Sequence, residues 1–551
     1  MVSYADRPWL PLYEEGQPGD IAQDFDTGLA IFDAAVRRAP QMDAVQYFDQ
    51  SMTYAELDAA SSAFAAALLD HGLQRGDRVG IYVQNDPAFV IGLVGTWKAG
   101  GAAVAINPMN KARELTYLLS DSGATALLCL DDLYDQVAKD VIAGPDSTIR
   151  TVITCSSLDH QSRNDERVLG GTTKHTPEGT LDLDSLVAQY SGRQLPDPGL
   201  AAGDLAVLTY TSGTTGQPKG AMNTHGNLAF NAQTYRDWMH LEQGDPVLAI
   251  APLFHITGLV GAVMIAFLLP GPLVLAHRFE PSVMLDAIKE HRPAFTIAAI
   301  TAFLALAAAP GATPEDFASF KVLYTGGAPV APAVADRLEK VFGSYIHNFY
   351  GLTETNSPSH GVPRGVRAPV DPASGALSVG VPVYNTVVRV IDDAGNDVPF
   401  GEIGEFATSG PQVVPGYWNR PDATAASLPG GELRTGDVGF MTEDGWFFLV
   451  DRKKDMINAS GYKVWPREVE DVLYTHPAVR EAAVVGVADD YRGETVRAFV
   501  SLVEGESVTP EELIEFAKSQ MAAYKYPREV RILDELPKTV TGKILRRELR
   551  D

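Results

Sequence analysis

The sequence predicts an α/β protein with a large N-terminal part and a small α+β C-terminal domain. Helix-like and strand-like patterns alternate over about the first 200 residues, which is typical of a largely parallel sheet. From about residue 370, short strand patterns replace this alternation. The chain has 551 residues, more than the roughly 100–200 residues of one ordinary domain, so two or more domains are expected.

In the N-terminal part, the first clear helix signal is a capping box. Thr53 is followed three positions later by Glu56, and the helix that they open is predicted to run to about residue 73. The next predicted elements are a buried strand over 77–84, a helix over 87–99 and a strand over 102–106. Residues 157–181 are polar and rich in Gly and Thr, which predicts a surface loop.

The two longest apolar stretches cover residues 259–269 and 294–309. Proline residues bound the second stretch on both sides, and Pro270 stops the first. Both are shorter than the 18 or more residues that a membrane helix needs, so we expect buried core elements and no integral membrane segment.

The region from about 370 to 450 is predicted to be a mostly β subdomain. Strands are predicted over 387–392 and 402–408, and Asp444-Gly445 predicts a hairpin between strands over 438–441 and 446–450.

The charged run 451–455 is the predicted boundary between an N-terminal domain, residues 1–450, and a C-terminal domain, residues 456–551. The elements predicted after the boundary are a helix over 466–474, strands over 481–486 and 495–502, a helix over 510–521 and a basic helix over 544–550.

The net charge is −26, with 44 basic and 70 acidic residues. Such a surface repels phosphate backbones and anionic lipid, so nucleic acid and membrane surfaces are poor candidate partners. Solubility alone also explains the charge. The two cysteines, Cys129 and Cys155, have no metal-type spacing, and the N-terminal residues carry no signal-peptide pattern, so we expect reduced thiols and a cytoplasmic protein.

Residues 210–220 form a loop rich in Gly, Ser and Thr that follows a hydrophobic strand pattern over 205–208. Glycines allow close backbone approach, and exposed N–H groups with hydroxyls suit phosphate oxygens. The loop is not a Walker A motif, because Pro218 precedes Lys219 and Gly220 follows it. From composition alone, a plain flexible loop is the stronger interpretation.

Seven segments together resemble the ordered motifs of the adenylate-forming (AMP-binding) superfamily, which contains acyl- and aryl-CoA synthetases, peptide-synthetase adenylation domains and beetle luciferases. The segments are TSGTTGQPKG at 211–220, PLFH at 252–255, GGAPV at 326–330, YGLTET at 350–355, TGD at 435–437, DRKKD with SGYK between 451 and 463, and PKTVTGK at 537–543. Agreement at seven places in the family's order makes chance resemblance negligible.

The resemblance implies a large N-terminal domain of two α/β subdomains and a β-rich subdomain, with a small mobile α+β C-terminal domain. It implies an ATP-dependent carboxylic acid–CoA ligase that forms AMP. A carboxylate attacks the α-phosphate of ATP and expels pyrophosphate; a thiol then attacks the acyl-adenylate and expels AMP. The implied cofactors are ATP, Mg²⁺ and coenzyme A as co-substrate.

The resemblance also assigns roles to individual residues. Lys543 would bridge the carboxylate and the α-phosphate, Thr353 would bind the α-phosphate, and Glu354 would hold Mg²⁺. Asp437 and Arg452 would contact the ribose, and Lys454 would be the hinge. The residues expected to bind the rest of the nucleotide or line the thiol tunnel are Thr211, Ser212, Gly213, Thr214, Thr215, Lys219, Gly327, Ala328, Pro329, Asn348, Tyr350, Gly351 and Gly461. Many members have Gln at the position of Asn348, so its contact to adenine stays open.

His255 follows Phe254 where amino-acid-activating relatives have Asp, so an amino acid substrate is not expected. The predicted acid pocket contains His255, Ile256, Thr257, Gly258, Ala298, Ala299, Thr301 and Gly326. This apolar lining favours a medium- or long-chain fatty acid, with an aryl or alicyclic acid as the alternative. His255 is either a catalytic gate or a plain wall residue. The sequence leaves two other functions open: an adenylating enzyme that does not use CoA, and a non-catalytic binding protein. It also leaves open whether the protein is a homodimer.

Overall fold

The computed structural model describes residues 3–145, 147–211, 217–372, 375–459, 462–489, 493–539 and 542–550. Within these ranges the chain forms four β-sheets with helices packed around them, which confirms the predicted mixed α/β fold. No helix in the described ranges is long and apolar enough to cross a membrane.

The first sheet has seven strands and is parallel except at one edge. In spatial order its strands are Leu181–Asp182, Thr151–Cys155, Ala124–Leu130, Arg78–Tyr82, Ala102–Ala105, Leu205–Thr211 and the antiparallel Lys219–Thr224. Its helices are Tyr54–Asp70, Pro87–Lys98, Ala112–Ser122, Lys139–Ile142, Glu166–Leu169 and Leu183–Tyr190, with short turns at Asp131–Leu133 and Tyr134–Ala138.

The second sheet has nine strands with a parallel centre. Its order is Val381–Pro382, His360–Gly361, Ile346–Tyr350, Val322–Gly326, Phe295–Ala298, Val247–Leu248, Leu273–Leu275, Asp43–Tyr47 and Gln50–Thr53. Its helical segments are Gly28–Arg38, His225–Met239, Ile256–Gly258, Leu259–Met264, Ile265–Leu268, Pro281–His291, Ile300–Ala307, Pro314–Phe317, Pro332–Phe342 and Thr353–Thr355.

The third sheet is the predicted β-rich subdomain. Its antiparallel strands are Val387–Ile391, Gly404–Ser409, Leu433–Met441 and Phe447–Arg452, and the helix Pro421–Ser427 lies between the second and third of them in the chain. The predicted hairpin at Asp444-Gly445 is confirmed, although its first strand begins at Leu433, earlier than predicted.

The fourth sheet belongs to the C-terminal part of the chain. Its strands are Tyr462–Val464, Ile457–Ala459, Gly493–Leu502 and Val479–Asp489, with Glu529–Ile532 paired to Gly493–Leu502. The helices Pro466–Tyr474 and Pro510–Gln520 pack on it. The sheet has its own hydrophobic core, separate from the large core that the first two sheets share. The boundary at 451–455 stays a prediction.

Three local predictions can be compared directly with the structure. The capping box is confirmed, because the Thr53 side chain accepts from the Glu56 N–H and the helix Tyr54–Asp70 follows. The 157–181 loop prediction was partly wrong: residues 166–169 form one helical turn, held down by buried Val168 and Leu169. The predicted basic helix over 544–550 was also wrong, because only a 3₁₀ turn, Arg546–Leu549, forms there.

Candidate active site

Three neighbouring parallel strands of the nine-stranded sheet end at the same edge, at Ala298, Gly326 and Tyr350. In open α/β sheets, ligands bind outside the carboxyl ends of the strands. The predicted acid pocket, the predicted adenine loop and the predicted nucleotide motif therefore leave the sheet side by side.

A buried carboxylate lies beside the last of these strands. The Asp437 side chain is 5% exposed, and its Oδ2 atom accepts a hydrogen bond of 2.8 Å from the Tyr350 hydroxyl. Its Oδ1 atom lies 3.2 Å from Nε of Arg452, which is directly opposite Asp437 on the neighbouring strand. Burial and the Asp437 charge raise the pKa of Tyr350 well above its ordinary value, so the phenol remains a hydrogen-bond donor.

The predicted adenine loop is accessible. Gly327 is exposed with a φ of 82°, and the loop is anchored behind it by buried Val330. On the sheet side, Asn348 is buried and Gly351 is partly exposed. A flat group bound against this loop would have Asp437 within reach of an attached sugar.

The turn that carries Thr353 and Glu354 is connected to Lys219 through one tyrosine. The Tyr417 hydroxyl donates to Oε1 of Glu354 over 2.6 Å, and Nζ of Lys219 lies 4.9 Å from the centre of the Tyr417 ring. A cation at this distance from an aromatic face is attracted to it. Tyr417 thus contacts the Glu354 carboxylate with its hydroxyl and the predicted phosphate-binding Lys219 with its ring.

The Glu354 carboxylate fits a Mg²⁺ ion that is shared with phosphate oxygens. Glu354 is only partly buried, and Tyr417 occupies one of its two oxygens. The described residues contain no cluster of three or more His, Cys, Asp or Glu side chains that could hold a metal by themselves. Mg²⁺ commonly takes one or two carboxylates and completes its shell with phosphates and water, so a single carboxylate here suits that ion.

Lys543 reaches this cleft from the C-terminal domain. Its side chain is still exposed to solvent. The protein atoms around the amine nevertheless lower its pKa to about 8, through desolvation and the positive charge of Arg452, against the opposing effect of Asp437. Arg546 and Lys454 lower it further. Although the whole chain carries a charge of −26, this cleft collects basic groups, which favours anionic ligands.

A tight turn presents Lys543. The Thr539 N–H donates to the Lys543 carbonyl over 2.7 Å, and the Gly542 N–H donates to the Thr539 carbonyl over 2.8 Å. The Gly542 carbonyl accepts from the Thr301 hydroxyl over 3.2 Å, which joins this turn to the predicted acid pocket. Gly542 has a φ of 79°, and a Cβ atom there would lie 2.2 Å from Oγ1 of Thr301, so only glycine fits.

Arg546 fixes the segment behind Lys543, a role that the sequence analysis missed. It lies 2.9 Å from Oδ1 of Asp451, 2.7 Å from Oε2 of Glu470 and 3.6 Å from Oδ2 of Asp455. Arg467 adds a contact between the domains, because its side chain donates to the Val330 carbonyl over 3.3 Å. In the sequence, Arg546 is one of four arginines and lysines near the C-terminus, and nothing there distinguishes it from a solvated charge.

His255 lies on the acid side of the cleft. Its Nδ1 atom accepts from the Thr257 N–H over 3.3 Å and so caps the short helix Ile256–Gly258. Burial and, secondly, the Lys543 charge lower its pKa to about 4, so the ring is neutral near pH 7. A neutral imidazole next to Lys543 leaves the lysine as the cation that a carboxylate would meet.

The remaining predicted pocket residues divide into two groups. Ile256 and Ala298 belong to the hydrophobic core, whereas Ala299 and Thr301 are partly exposed towards the Gly542 turn. Deeper in, the Thr257 hydroxyl lies 3.4 Å from the Ser357 hydroxyl, which lies 3.5 Å from the hydroxyl of buried Tyr235. The predicted pocket segments are therefore apolar, and a line of three hydroxyls begins at Thr257.

Lys454 lies in the 3₁₀ turn Lys453–Asp455, between the third and fourth sheets. Thr211 ends a strand of the first sheet, and its hydroxyl lies 3.4 Å from the Lys219 carbonyl. Ser212, Gly213, Thr214, Thr215 and Gly461 lie outside the described residues.

Two family profiles match the chain. The profile described as "AMP-binding enzyme" matches residues 32–418, and the one described as "AMP-binding enzyme C-terminal domain" matches residues 468–543. The first match includes the strand ends at Ala298, Gly326 and Tyr350, and the second ends at Lys543.

Full-length relatives share about a third of their residues with this chain. A long-chain-fatty-acid–CoA ligase of Bacillus subtilis is 35% identical over 98% of this chain and 97% of its own length. A feruloyl-CoA synthase of Amycolatopsis sp is 35% identical over 93% of this chain and 96% of its own length. Among solved structures, the anthranilate CoA ligase AuaEII in complex with anthranoyl-AMP superposes with a TM-score of 0.85, at 25% identity, over 100% of this chain and 98% of that one.

Proposed function

Since the chain belongs to the AMP-binding enzyme family and is an AMP-forming acid–CoA ligase, we propose that it activates a medium- or long-chain fatty acid with MgATP and transfers the acyl group to CoA. The observation that supports the site assignment is the position of Lys543, which directly follows Gly542, whose carbonyl accepts from the Thr301 hydroxyl of the predicted acid pocket. Lys543 also interacts electrostatically with Asp437, Arg452 and His255. The fatty acid is supported by the apolar residues of the predicted pocket segments, such as Ile256 and Ala298, and by the fatty-acid ligases that align over nearly the whole chain.

In the first step, two anions must approach each other. Lys543 is a flexible cation that can contact both the substrate carboxylate and the α-phosphate. Thr353, the residue proposed to bind the α-phosphate, begins the turn Thr353–Thr355. Neutral His255 stays on the acid side and adds no competing charge. Such preorganised charge lowers the barrier because it is already in place where negative charge develops.

The nucleotide is placed by the sheet edge. Asp437 accepts hydrogen bonds from the ribose hydroxyls, Arg452 orients this carboxylate, and Tyr350 forms the floor under adenine. Lys219 and Thr211 belong to the segment that lines the outer phosphates. When Mg²⁺ is bound with ATP, it neutralises phosphate charge, and Glu354 is the side chain that would hold it.

In the second step, the thiol of CoA needs the position that Lys543 occupies. We infer that the C-terminal domain turns about Lys454, withdraws Lys543 and brings the segment around residues 460–463 to the cleft. The 3₁₀ turn at Lys453–Asp455 is a short connection where such a change of backbone angles can be absorbed.

Both cysteines are buried free thiols, which supports a cytoplasmic location for these steps.

An aryl acid is the second candidate. The line of hydroxyls from Thr257 through Ser357 to Tyr235 offers hydrogen bonds that an alkyl chain cannot use but a ring hydroxyl can. The feruloyl-CoA synthase relative supports the same alternative. Buried polar groups that lose their partner penalise the wrong ligand, so the two acid classes should be well separated in rate.

A pyrophosphate-release assay with decanoic, palmitic, benzoic and ferulic acids, each with and without CoA, tests the proposal. We expect stimulation by the fatty acids and acyl-CoA formation only when CoA is present. Preferential stimulation by ferulic acid would establish the second candidate. Release that no acid stimulates would contradict both.

Lys543→Ala tests the role assigned to the lysine. The variant should lose adenylation by about 10²–10³-fold, the usual loss for one preorganised donor, yet still form thioester from supplied acyl-adenylate. Equal loss of both half-reactions would contradict a role confined to the first step. Lys538→Ala, on the same turn but paired with Glu481, is the matched control.

A further inference from the structure

Two buried asparagines face the turn that carries Thr353 and Glu354. Asn223 is the last but one residue of the strand Lys219–Thr224, and Asn231 lies about two turns into the helix His225–Met239 that follows. Both are 0% exposed. Neither side chain has a role in the two half-reactions proposed for this site.

Their amide nitrogens hold most of the backbone carbonyls of residues 353–358. Nδ2 of Asn231 lies 2.9–3.1 Å from three carbonyl oxygens, those of Thr355, Asn356 and Pro358. Nδ2 of Asn223 donates to the Thr353 carbonyl over 3.1 Å and to the Asn356 side-chain oxygen over 2.9 Å. Two side chains thus bind four of the six backbone carbonyls of this turn.

The turn needs this support because its backbone is strained. Asn356 and Ser357 have φ values of 51° and 31°, in the left-handed region that residues other than glycine avoid. Such a conformation is unfavourable unless the surroundings hold it. Asn356 is also held from the other side, because its Nδ2 donates to the Gln412 carbonyl over 2.9 Å.

The observed orientation of both amides is unfavourable for their oxygen atoms. Within the described part of the chain, Oδ1 of Asn223 and Oδ1 of Asn231 are buried without a hydrogen-bond partner. Leaving such an atom unpaired is unfavourable, because it loses its hydrogen bonds to water on burial. Turning the Asn231 amide over would place its oxygen against three carbonyl oxygens, so the turn dictates where the nitrogen points.

The outer side of the same turn presents the predicted metal ligand. The Glu354 carbonyl accepts from the Val414 N–H over 2.9 Å, and its carboxylate accepts from Tyr417. Asn223 lies on the same strand as Lys219, four residues further along. A single strand therefore connects the lysine of the phosphate loop to the backbone of Thr353.

We propose that Asn223 and Asn231 are positioning residues for adenylation. They fix the 353–358 turn so that Thr353 and Glu354 meet the phosphates and the cation at a set distance from Lys219. The inference rests on the proposed roles of those three residues. It assigns the asparagines to the first half-reaction, because the second needs no metal–triphosphate geometry.

The test compares Asn231→Ala with Gln233→Ala. Gln233 is a buried amide on the same helix, but it bonds the Ala22 carbonyl and the Asp24 N–H of the N-terminal segment instead of the turn. MgATP binding is measured by calorimetry, adenylation by pyrophosphate exchange over a range of Mg²⁺, and the second step by thioester formation from supplied acyl-adenylate. Thermal unfolding of both variants measures the loss of stability.

For Asn231→Ala we expect MgATP binding about tenfold weaker and adenylation about 10–100-fold slower, while thioester formation stays within about threefold of the parent. Gln233→Ala should lose comparable stability but change binding and adenylation by less than about threefold. If Asn231→Ala does not fold, Asn223→Ala, which frees only the Thr353 carbonyl and the Asn356 side chain, is compared in the same way.

Equal loss of both half-reactions, or equal effects of the Asn231 and Gln233 variants, would overturn the inference. Glu354→Gln separates this failure from a failure of the proposed site. If Glu354→Gln weakens MgATP binding and Asn231→Ala does not, only the positioning role is lost. If Glu354→Gln leaves binding unchanged, the assigned metal site is wrong.

Discussion

Lys543 supplies the positive charge proposed for adenylation, and its pKa is lower than that of an ordinary lysine. Its pKa is lowered to about 8 by burial and by Arg452, so above that pH an increasing fraction of the free enzyme carries a neutral amine. The cation is the active form for adenylation, and a base is charged below its pKa. The rate should therefore be full below about pH 8 and fall as the pH rises through it.

This prediction is checked by the pH profile of kcat/KM for pyrophosphate exchange, which reports ionisations of the free enzyme. His255 has a pKa of about 4 and should add no step between pH 5 and 9. Lys543→Arg, which stays charged, should remove the alkaline fall even if its rate is lower. A wild-type profile that stays flat to pH 9.5 would contradict the assignment.

Asp86 is a buried acid outside the site. It caps the helix Pro87–Lys98 through a 3.4 Å bond from the Phe89 N–H, and within the described residues its Oδ2 atom has no hydrogen-bond partner. Burial raises its pKa to about 8. Between about pH 4 and pH 8 the folded chain then binds a proton that the unfolded chain does not, so stability falls as the pH rises through this range.

Asp86→Asn keeps the cap without the need for that proton. We expect the variant to unfold at a higher temperature than the parent at pH 7–8, and the difference to disappear near pH 4. The parent should lose up to roughly 1.4 kcal/mol for each pH unit from this one group. Denaturant unfolding at several pH values measures the difference, and parallel curves for the two proteins would contradict it.

At the residue scale, sequence reasoning found side chains that stand in recognisable motifs and missed those that act through distant partners. Lys543, Glu354 and Asp437 each lie in a short local pattern. Asn231 and Arg546 have no such pattern, because the groups that they contact are 76 or more positions away in the chain. Only the folded structure brings those partners together.

The Gly542 contact to Thr301 holds the segment that delivers Lys543, and Gly542 is its critical position. Alanine there would be strained at a φ of 79°, and its Cβ would lie 2.2 Å from Oγ1 of Thr301. Gly542→Ala should reduce adenylation at least tenfold by displacing Lys543, because a misplacement of about 1 Å can cost about 10²-fold. Thioester formation from supplied acyl-adenylate should change little.

Adding Thr301→Gly removes the clashing hydroxyl and leaves only the backbone strain. The double variant should therefore recover part of the adenylation rate that Gly542→Ala loses, measured by pyrophosphate exchange. Double-mutant analysis isolates this contact. Purely additive losses would show that the Thr301 contact does not position the turn.

Elements with strong local signals were predicted well. The helices Tyr54–Asp70 and Pro87–Lys98 begin at Thr53 and Asp86, whose side chains cap them, and these signals lie within a few residues. The helical turn Glu166–Leu169 was missed because only two of its residues, Val168 and Leu169, are buried, and a polar sequence surrounds them. The helix predicted over 544–550 fails because residue 544 forms a bridge with Lys538, and Arg546 is drawn to Glu470.

At the scale of the whole molecule, ion pairs hold the C-terminal domain in the orientation that delivers Lys543. Arg546 joins Asp451, which precedes the predicted hinge, to Glu470, which follows it. Arg467 reaches the Val330 carbonyl of the adenine loop. These contacts span the hinge, so a rotation that withdraws Lys543 must break some of them. The order of the motifs predicted two domains, but it could not predict which contacts hold them together.

Lys454→Pro tests whether the molecule must turn at this point. Lys454 is inside a 3₁₀ turn. Residues of such turns have φ of about −50° to −70°, and proline holds φ at about −65°. Proline therefore suits the orientation described here and resists the change of angle that a rotation requires. Adenylation should stay within about threefold of the parent, and thioester formation from supplied acyl-adenylate should fall at least about a hundredfold.

Lys454→Ala is the matched control, because it removes the same charge from the neighbourhood of Lys543 without restricting the backbone. It should keep both half-reactions near their original rates. Single-turnover measurements of each step on both variants decide the question. If the proline variant completes both steps at unchanged rates, the pivot is not at Lys454, and if alanine matches proline, the charge matters and not the backbone. Selective loss of the second step in the proline variant alone would mean that a single chain position lets one cleft serve two successive reactions.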